Sequence, residues 1–149
     1  MEHQQEEGGS QWLGFWRLIE LGIRDPDELD RLIAEMSESA LVDFYWTYEE
    51  AAADLKTEEF TKYLIPPRTE DFVDDVALWI VAKGLAYYES IMTNPSAMPP
   101  DLPPGARLSP WTGTVARVYR SRYRAPVRFP DDPPPLEGSD GTGSEASQT

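Results

Sequence analysis

Residues 71–92 read DFVDDVALWIVAKGLAYYESIM, and the fold turns on how this stretch is understood. Its middle, Val76 to Ala82, is seven uncharged apolar residues in a row. On a helical wheel the apolar positions nearly close the circle. A helix apolar on almost every side has to be surrounded by other elements, since a surface helix keeps a polar face. Thr69 is an N-cap residue type, and Glu70 and Asp71 follow it where carboxylates suit the positive end of the helix dipole. Asn94-Pro95 closes the segment, because proline lacks the N–H that a continuing helix needs. The pattern predicts one buried helix over about 70–92 at the centre of an all-α domain. Gly84 falls inside it, where glycine costs about 1 kcal/mol relative to alanine, so it marks a place where a neighbouring helix comes close.

Working outward, Gln11 to Leu21 puts Trp12, Phe15, Trp16 and Ile19 along one helical stripe, with Gly22 as a C-terminal stop. Asp25-Pro26-Asp27-Glu28 supplies a capping aspartate, proline at the first helical position and a glutamate three residues past the cap. The helix it opens, 26–36, carries Leu29, Leu32, Ile33 and Met36 on one face. Ser37 or Ser39 caps a third helix, 40–56, with Leu41, Phe44, Tyr45, Tyr48, Ala52 and Leu55 inward and Trp46 off the stripe. Thr57 caps a short fourth helix, 58–64, which Pro66-Pro67 ends. Residues 94–110 hold six prolines and form a connector. Trp111 to Arg124 is a last helix, with Val115, Val118, Tyr119 and Tyr123 on one face and Arg117, Arg120 and Arg124 opposite. The expected architecture is a single-domain bundle of five to six helices around 70–92. The domain covers 11–126, between a disordered tail at 1–10 and a disordered acidic, Pro/Gly/Ser-rich tail at 127–149. Phe15, Trp16, Phe44, Trp79, Gly84 and Tyr88 are expected as its structural core.

A chain of 149 residues with 40% hydrophobic side chains and five tryptophans suits one domain with a real core. Cysteine is absent, which excludes disulfides and thiolate metal sites. The longest apolar run, seven residues, is far short of the roughly 20 that span a bilayer. The polar start MEHQQEEGGS has no signal-peptide core, so the expectation is a cytoplasmic protein that meets no membrane. Net charge is −14 and uneven: residues 1–105 carry −15, residues 106–129 carry six arginines and no acid, and residues 130–149 carry −5. An acidic body repels phosphate backbones, which disfavours nucleic acid as a partner.

No catalytic constellation is visible. His3, the only histidine, lies in the tail, where nothing would position it as a base or a metal ligand. No glycine-rich loop joins a strand to a helix, and no cofactor is implied. Paired carboxylates are the one feature with chemical reach: Glu49, Glu50 and Asp54 on the third helix, Glu58 and Glu59 on the fourth, and Glu70, Asp71, Asp74 and Asp75 on the central one. Oxygen ligands of this kind suit Mg²⁺ or Ca²⁺, although solvated faces account for most of them. Asp74 and Asp75 precede the apolar run, so one of them is expected to be partly buried and to need a partner. The arginine-rich helix offers one, through docking on its own domain and reaching Glu70, Asp74 or Asp75 with Arg122. Glu70, Asp71, Asp74, Asp75 and Arg122 therefore form the candidate interaction or ion-pair site.

Several spaced signatures are similar to an uncharacterised bacterial family known as domain of unknown function 4240. They are Phe15-Trp16-Arg17-Leu18-Ile19, the Tyr63-Leu64-Ile65 segment leading to Thr69-Glu70-Asp71, and Trp79-Ile80-Val81 with Gly84, Tyr88 and Asn94-Pro95-Ser96. The resemblance covers about residues 11–98. Phe72 departs from the small residue expected there, as does the Pro66-Pro67 turn from the usual glycines. The resemblance implies a helical fold and no activity. Function is expected to be that of a non-enzymatic helical module acting through a protein partner. One alternative is a small-molecule or divalent-metal-binding regulator using the carboxylates. Another is an immunity- or antitoxin-type protein neutralising a basic partner.

Overall fold

The computed structural model describes residues 2–106 and 111–136, with side chains from Trp12 onward. Among the described residues there are seven α-helices and no strand. They are α1 (Glu2–Arg24), α2 (Pro26–Glu35), α3 (Glu38–Ala53), α4 (Glu58–Thr61), α5 (Glu70–Ala82), α6 (Leu85–Thr93) and α7 (Trp111–Tyr123), with a 3-10 turn at Pro95–Ala97 between α6 and α7. This is an all-helical bundle with α5 packed against α1, α3 and α6. No described helix is long and apolar enough to cross a membrane.

Local chemistry accounts for most helix starts. The carboxylate of Asp25 accepts from the Glu28 N–H at 3.2 Å, the Ser37 hydroxyl from Ala40 N–H at 3.2 Å, and Thr69 from Phe72 N–H at 3.1 Å. Each satisfies one of the N–H groups that a helix start leaves unpaired. Thr57 occupies the cap position of α4 but makes no such bond, and α4 ends at Thr61 rather than 64.

The central helix is not continuous. It stops at Ala82, and Gly84, with φ 106° and ψ 167°, begins a separate helix at Leu85. That backbone conformation belongs almost wholly to glycine. The close neighbour expected at Gly84 is present: a Cβ there would lie 2.6 Å from Glu20 Oε2 and 3.2 Å from Ile23 Cδ1, both on α1. Gly22 is corrected too. Helix α1 runs through it to Arg24, and Gly22 is small because Leu29 Cδ2 and Trp111 Cζ2 pack where a Cβ would stand, at 2.7 and 2.9 Å.

Ile19, Leu29, Ile33, Leu41, Tyr48 and Tyr119 are fully buried at the centre. Phe15, Trp16, Phe44 and Tyr88 lie in the core as expected, with Phe15 edge-on to Trp16 and Tyr48, and Trp16 5.0 Å from Tyr88. Trp79 is only half-buried: it packs against the core and also lines a groove. The buried phenols find backbone acceptors: Tyr48 donates to Leu78 O at 3.0 Å and Tyr88 to Ala51 O at 2.9 Å. Those two bonds tie α3 to α5 and α6, where an unsatisfied hydroxyl would cost about 1–3 kcal/mol.

Helix α7 docks on its own domain, against α2 and α3. Val115 and Tyr119 are wholly buried, and burial of a large side chain contributes roughly 1.5–3 kcal/mol. The chain after α7 does not leave the domain at 127. Arg128 makes a two-pronged ion pair with Glu38 at 2.7 and 2.9 Å, its carbonyl accepts from Trp46 Nε1 at 2.8 Å, and Phe129 stacks on Trp46. Residues 137–149 of the expected tail lie outside the described residues.

Candidate functional site

Helix α5 divides the expected acidic cluster between two sides. Glu70 and Asp71 are exposed in its first turn, where Thr69 caps it. Together with Val73 and Asp74, they line a concavity of about 540 Å³ whose other walls are Lys56, Thr61 and Arg68. Asp74 is paired with Lys56, Oδ1 to Nζ 2.5 Å. Arg68 is engaged elsewhere, donating to Leu64 O and Lys62 O. Asp75 looks the other way, into a larger groove.

The carboxylates on this shoulder disturb one another. Asp75 is held above the usual carboxylate range, first by burial and then by the charges of Asp74 and Asp71. Glu49, on the facing side of α3, is raised by burial and by Asp74, with Lys56 acting in the opposite sense. Tyr45 is raised by burial, then by Glu49 and Asp74. These directions place Glu49 and Asp75 each within the field of Asp74. A single ion pair, Lys56–Asp74, serves this shoulder among the described residues.

Arg122 does not join it. The expected pairing with Glu70, Asp74 or Asp75 gives way to bonds with backbone carbonyls, in which Nη1 donates to Met36 O at 2.7 Å and Nη2 to Ala34 O at 2.9 Å. Carbonyls at a helix C-terminus lack intrahelical partners and carry the negative end of the dipole, so a guanidinium satisfies both at the end of α2. The arginine that buries a carboxylate partner is Arg128, which composition alone assigns to the tail. It holds Glu38 below the usual carboxylate range, helped by the Tyr119 hydroxyl at 2.5 Å and opposed by burial. Glu38 and Arg128 are 14% and 15% exposed, the most enclosed ion pair of the described residues.

The second concavity is an open groove of about 720 Å³ between α2, α5, the 103–106 connector and the start of α7. Asp27 and Asp30 line it from α2, Asp75 from α5, Lys83 from the position just after α5, and Arg117 from α7. Its apolar lining includes Leu78, Trp79 and Trp111 together with prolines of the connector. Trp111 is seated there by the missing side chain at Gly22, and the ammonium of Lys83 sits 5.4 Å from the centre of the Trp79 ring. Of these residues the sequence pattern singles out only Asp75 as a site candidate. Asp27 and Asp30, at a spacing of three on an exposed helix face, are the one local signal for the others. No group of three or more histidine or carboxylate side chains among the described residues is placed to hold a metal ion.

A scan against protein-family models, a search of curated proteins and a search of solved structures each find no match to this chain. The likeness to domain of unknown function 4240 therefore rests on the spaced residues quoted above.

Proposed function

We propose that the chain is a non-enzymatic, cytoplasmic interaction module whose acidic α3–α5 shoulder docks a basic partner protein. The observation that carries this reading is the unneutralised charge of the shoulder. Glu49, Glu70 and Asp71 have no ion-pair partner among the described residues, and Arg122, the cation expected to reach this cluster, is spent on the end of α2. Like charges held together raise each other's free energy, so a cation delivered by a partner relieves a strain already present as well as making new contacts. An immunity-type protein that neutralises a basic toxin is one form such a module takes. Kinship with the bacterial family named above belongs to the same proposal and supplies no activity.

The test is calorimetric titration of the full chain with a synthetic peptide of alternating arginine and glycine at low ionic strength. Binding should weaken steeply with salt, because exposed charges are screened beyond about 10 Å at 0.1 M. The double substitution Glu70→Gln/Asp71→Asn should weaken it about tenfold, or about 1.4 kcal/mol. The same charge change made after α7, Asp131→Asn/Asp132→Asn, should leave it nearly unchanged. No binding at low salt, or equal losses from the two double variants, overturns the proposal.

A further inference from the structure

The groove between α2, α5 and α7 holds charges of both signs that do not meet. Asp27, Asp30 and Asp75 carry carboxylates into it, and Lys83 and Arg117 carry cations. Among the described residues none of the five forms an ion pair: the only pairs within 4.0 Å are Glu28–Arg31, Glu35–Arg31, Asp74–Lys56 and Glu38–Arg128. The separation is built into the scaffold. The two α2 carboxylates sit near the start of a helix opened by the Asp25 cap and Pro26, while Arg117 comes from α7, two turns in. The same groove is lined by Trp79, Trp111 and Leu78. Trp111 can occupy that position only because residue 22 has no Cβ.

Unpaired opposite charges lining one open groove are complementary to a molecule that carries both. A ligand with an ammonium group at one end and a carboxylate at the other completes two charge-assisted contacts at once, and such contacts are about twice as strong as neutral ones. An apolar body on that ligand displaces water from the indole faces. The volume, about 720 Å³, falls in the range of roughly 300–1,000 Å³ typical of small-molecule sites, which combine apolar walls with a few placed polar groups. We propose that the groove is a binding site for a small zwitterion with a flat apolar body, an aromatic amino acid or a dipeptide containing one. This site is separate from the α3–α5 shoulder and does not depend on the partner proposed for it.

L-phenylalanine and glycyl-L-phenylalanine are the probes, titrated into the full chain with tryptophan emission as readout, since neither absorbs where indole is selectively excited. Phenethylamine and 3-phenylpropionate supply the amine and the carboxylate halves alone. One of the zwitterions should bind at least tenfold more tightly than either half, and which one does so separates a free amino acid from a dipeptide. Arg117→Gln and Asp30→Asn, both on exposed positions that the fold tolerates, should each reduce that affinity several-fold. Glu70→Gln/Asp71→Asn should leave it unchanged while weakening the basic peptide, so the two proposals fail separately. Halves that bind as well as the zwitterions, or no emission change with either zwitterion up to millimolar concentration, overturn the proposal.

Discussion

Gly84→Ala reports directly on the break between α5 and α6. In the middle of a continuous helix, replacing glycine with alanine stabilises by about 0.5–1 kcal/mol. In this structure the sign reverses. With φ at 106° and ψ at 167°, an alanine would sit in a region nearly reserved for glycine, at a cost on the order of 1–3 kcal/mol. Its Cβ would also meet Glu20 Oε2 at 2.6 Å and Ile23 Cδ1 at 3.2 Å. The Glu20 carboxylate, which accepts from the Leu85 N–H at 3.3 Å, can swing away, so the steric part is smaller than a clash with backbone would be. Together the expected loss is about 2–4 kcal/mol, a fall in Tm of roughly 5–15 °C for a chain of this size. Thermal unfolding followed by far-ultraviolet circular dichroism measures it. In a Glu20→Ala background the carboxylate is gone and the backbone strain remains, so the same substitution should cost less but still destabilise. A neutral or stabilising Gly84→Ala would show that residues 70–93 form one helix and refute the break.

Gly22→Ala should destabilise as well, by about 1–3 kcal/mol of overpacking against Leu29 and Trp111, lowering Tm and shifting tryptophan emission as Trp111 moves. The Glu38–Arg128 pair gives a pH signature. Because the folded state holds the Glu38 carboxyl below its ordinary range, its stabilisation is complete above an unfolded pKa of about 4.3 and is lost as pH falls through the folded value. The Tm difference between the native chain and Glu38→Gln should therefore be widest at neutral pH and narrow progressively as pH falls below about 4.3; a gap constant with pH would contradict the pairing. Asp75 runs the opposite way. Its carboxyl is raised by burial and by Asp74 and Asp71, so the cost of its charge is fully present above the folded pKa and vanishes as pH falls toward the unfolded one. Asp75→Asn should raise Tm at neutral pH, with the gain shrinking in mild acid, as differential scanning fluorimetry would show.

Residue patterns reveal what is local in this fold. Asp25, Ser37 and Thr69 cap their helices through bonds to residues three positions on, so their roles are written within four residues. The stripe of Phe15, Trp16 and Ile19, and that of Val115 and Tyr119, form core for the same reason. Gly84 escapes such reading because a helical wheel records polarity and not dihedral angles. The turn it makes is held in place by Glu20 and Ile23, more than sixty residues earlier. Arg122 does lie on the inner face of α7, but its partner is a pair of backbone carbonyls, which no side-chain pattern can reveal. Arg128 and Phe129 sit among prolines and aspartates, so composition assigns them to a tail. The groups that bind them, Glu38 and Trp46, lie on α3. The two-signed groove draws on α2, α5 and α7 and exists only once those helices are packed.

The sharpest test of the proposed acidic shoulder is chemical-shift mapping of the arginine-glycine peptide on the uniformly ¹⁵N-labelled full chain. Docking on the shoulder predicts shifts concentrated on the amides of Glu70 to Asp75 and on the α3 turn around Glu49, lost in Glu70→Gln/Asp71→Asn. Shifts spread evenly over every acidic surface, or centred on the segment after α7, would contradict it.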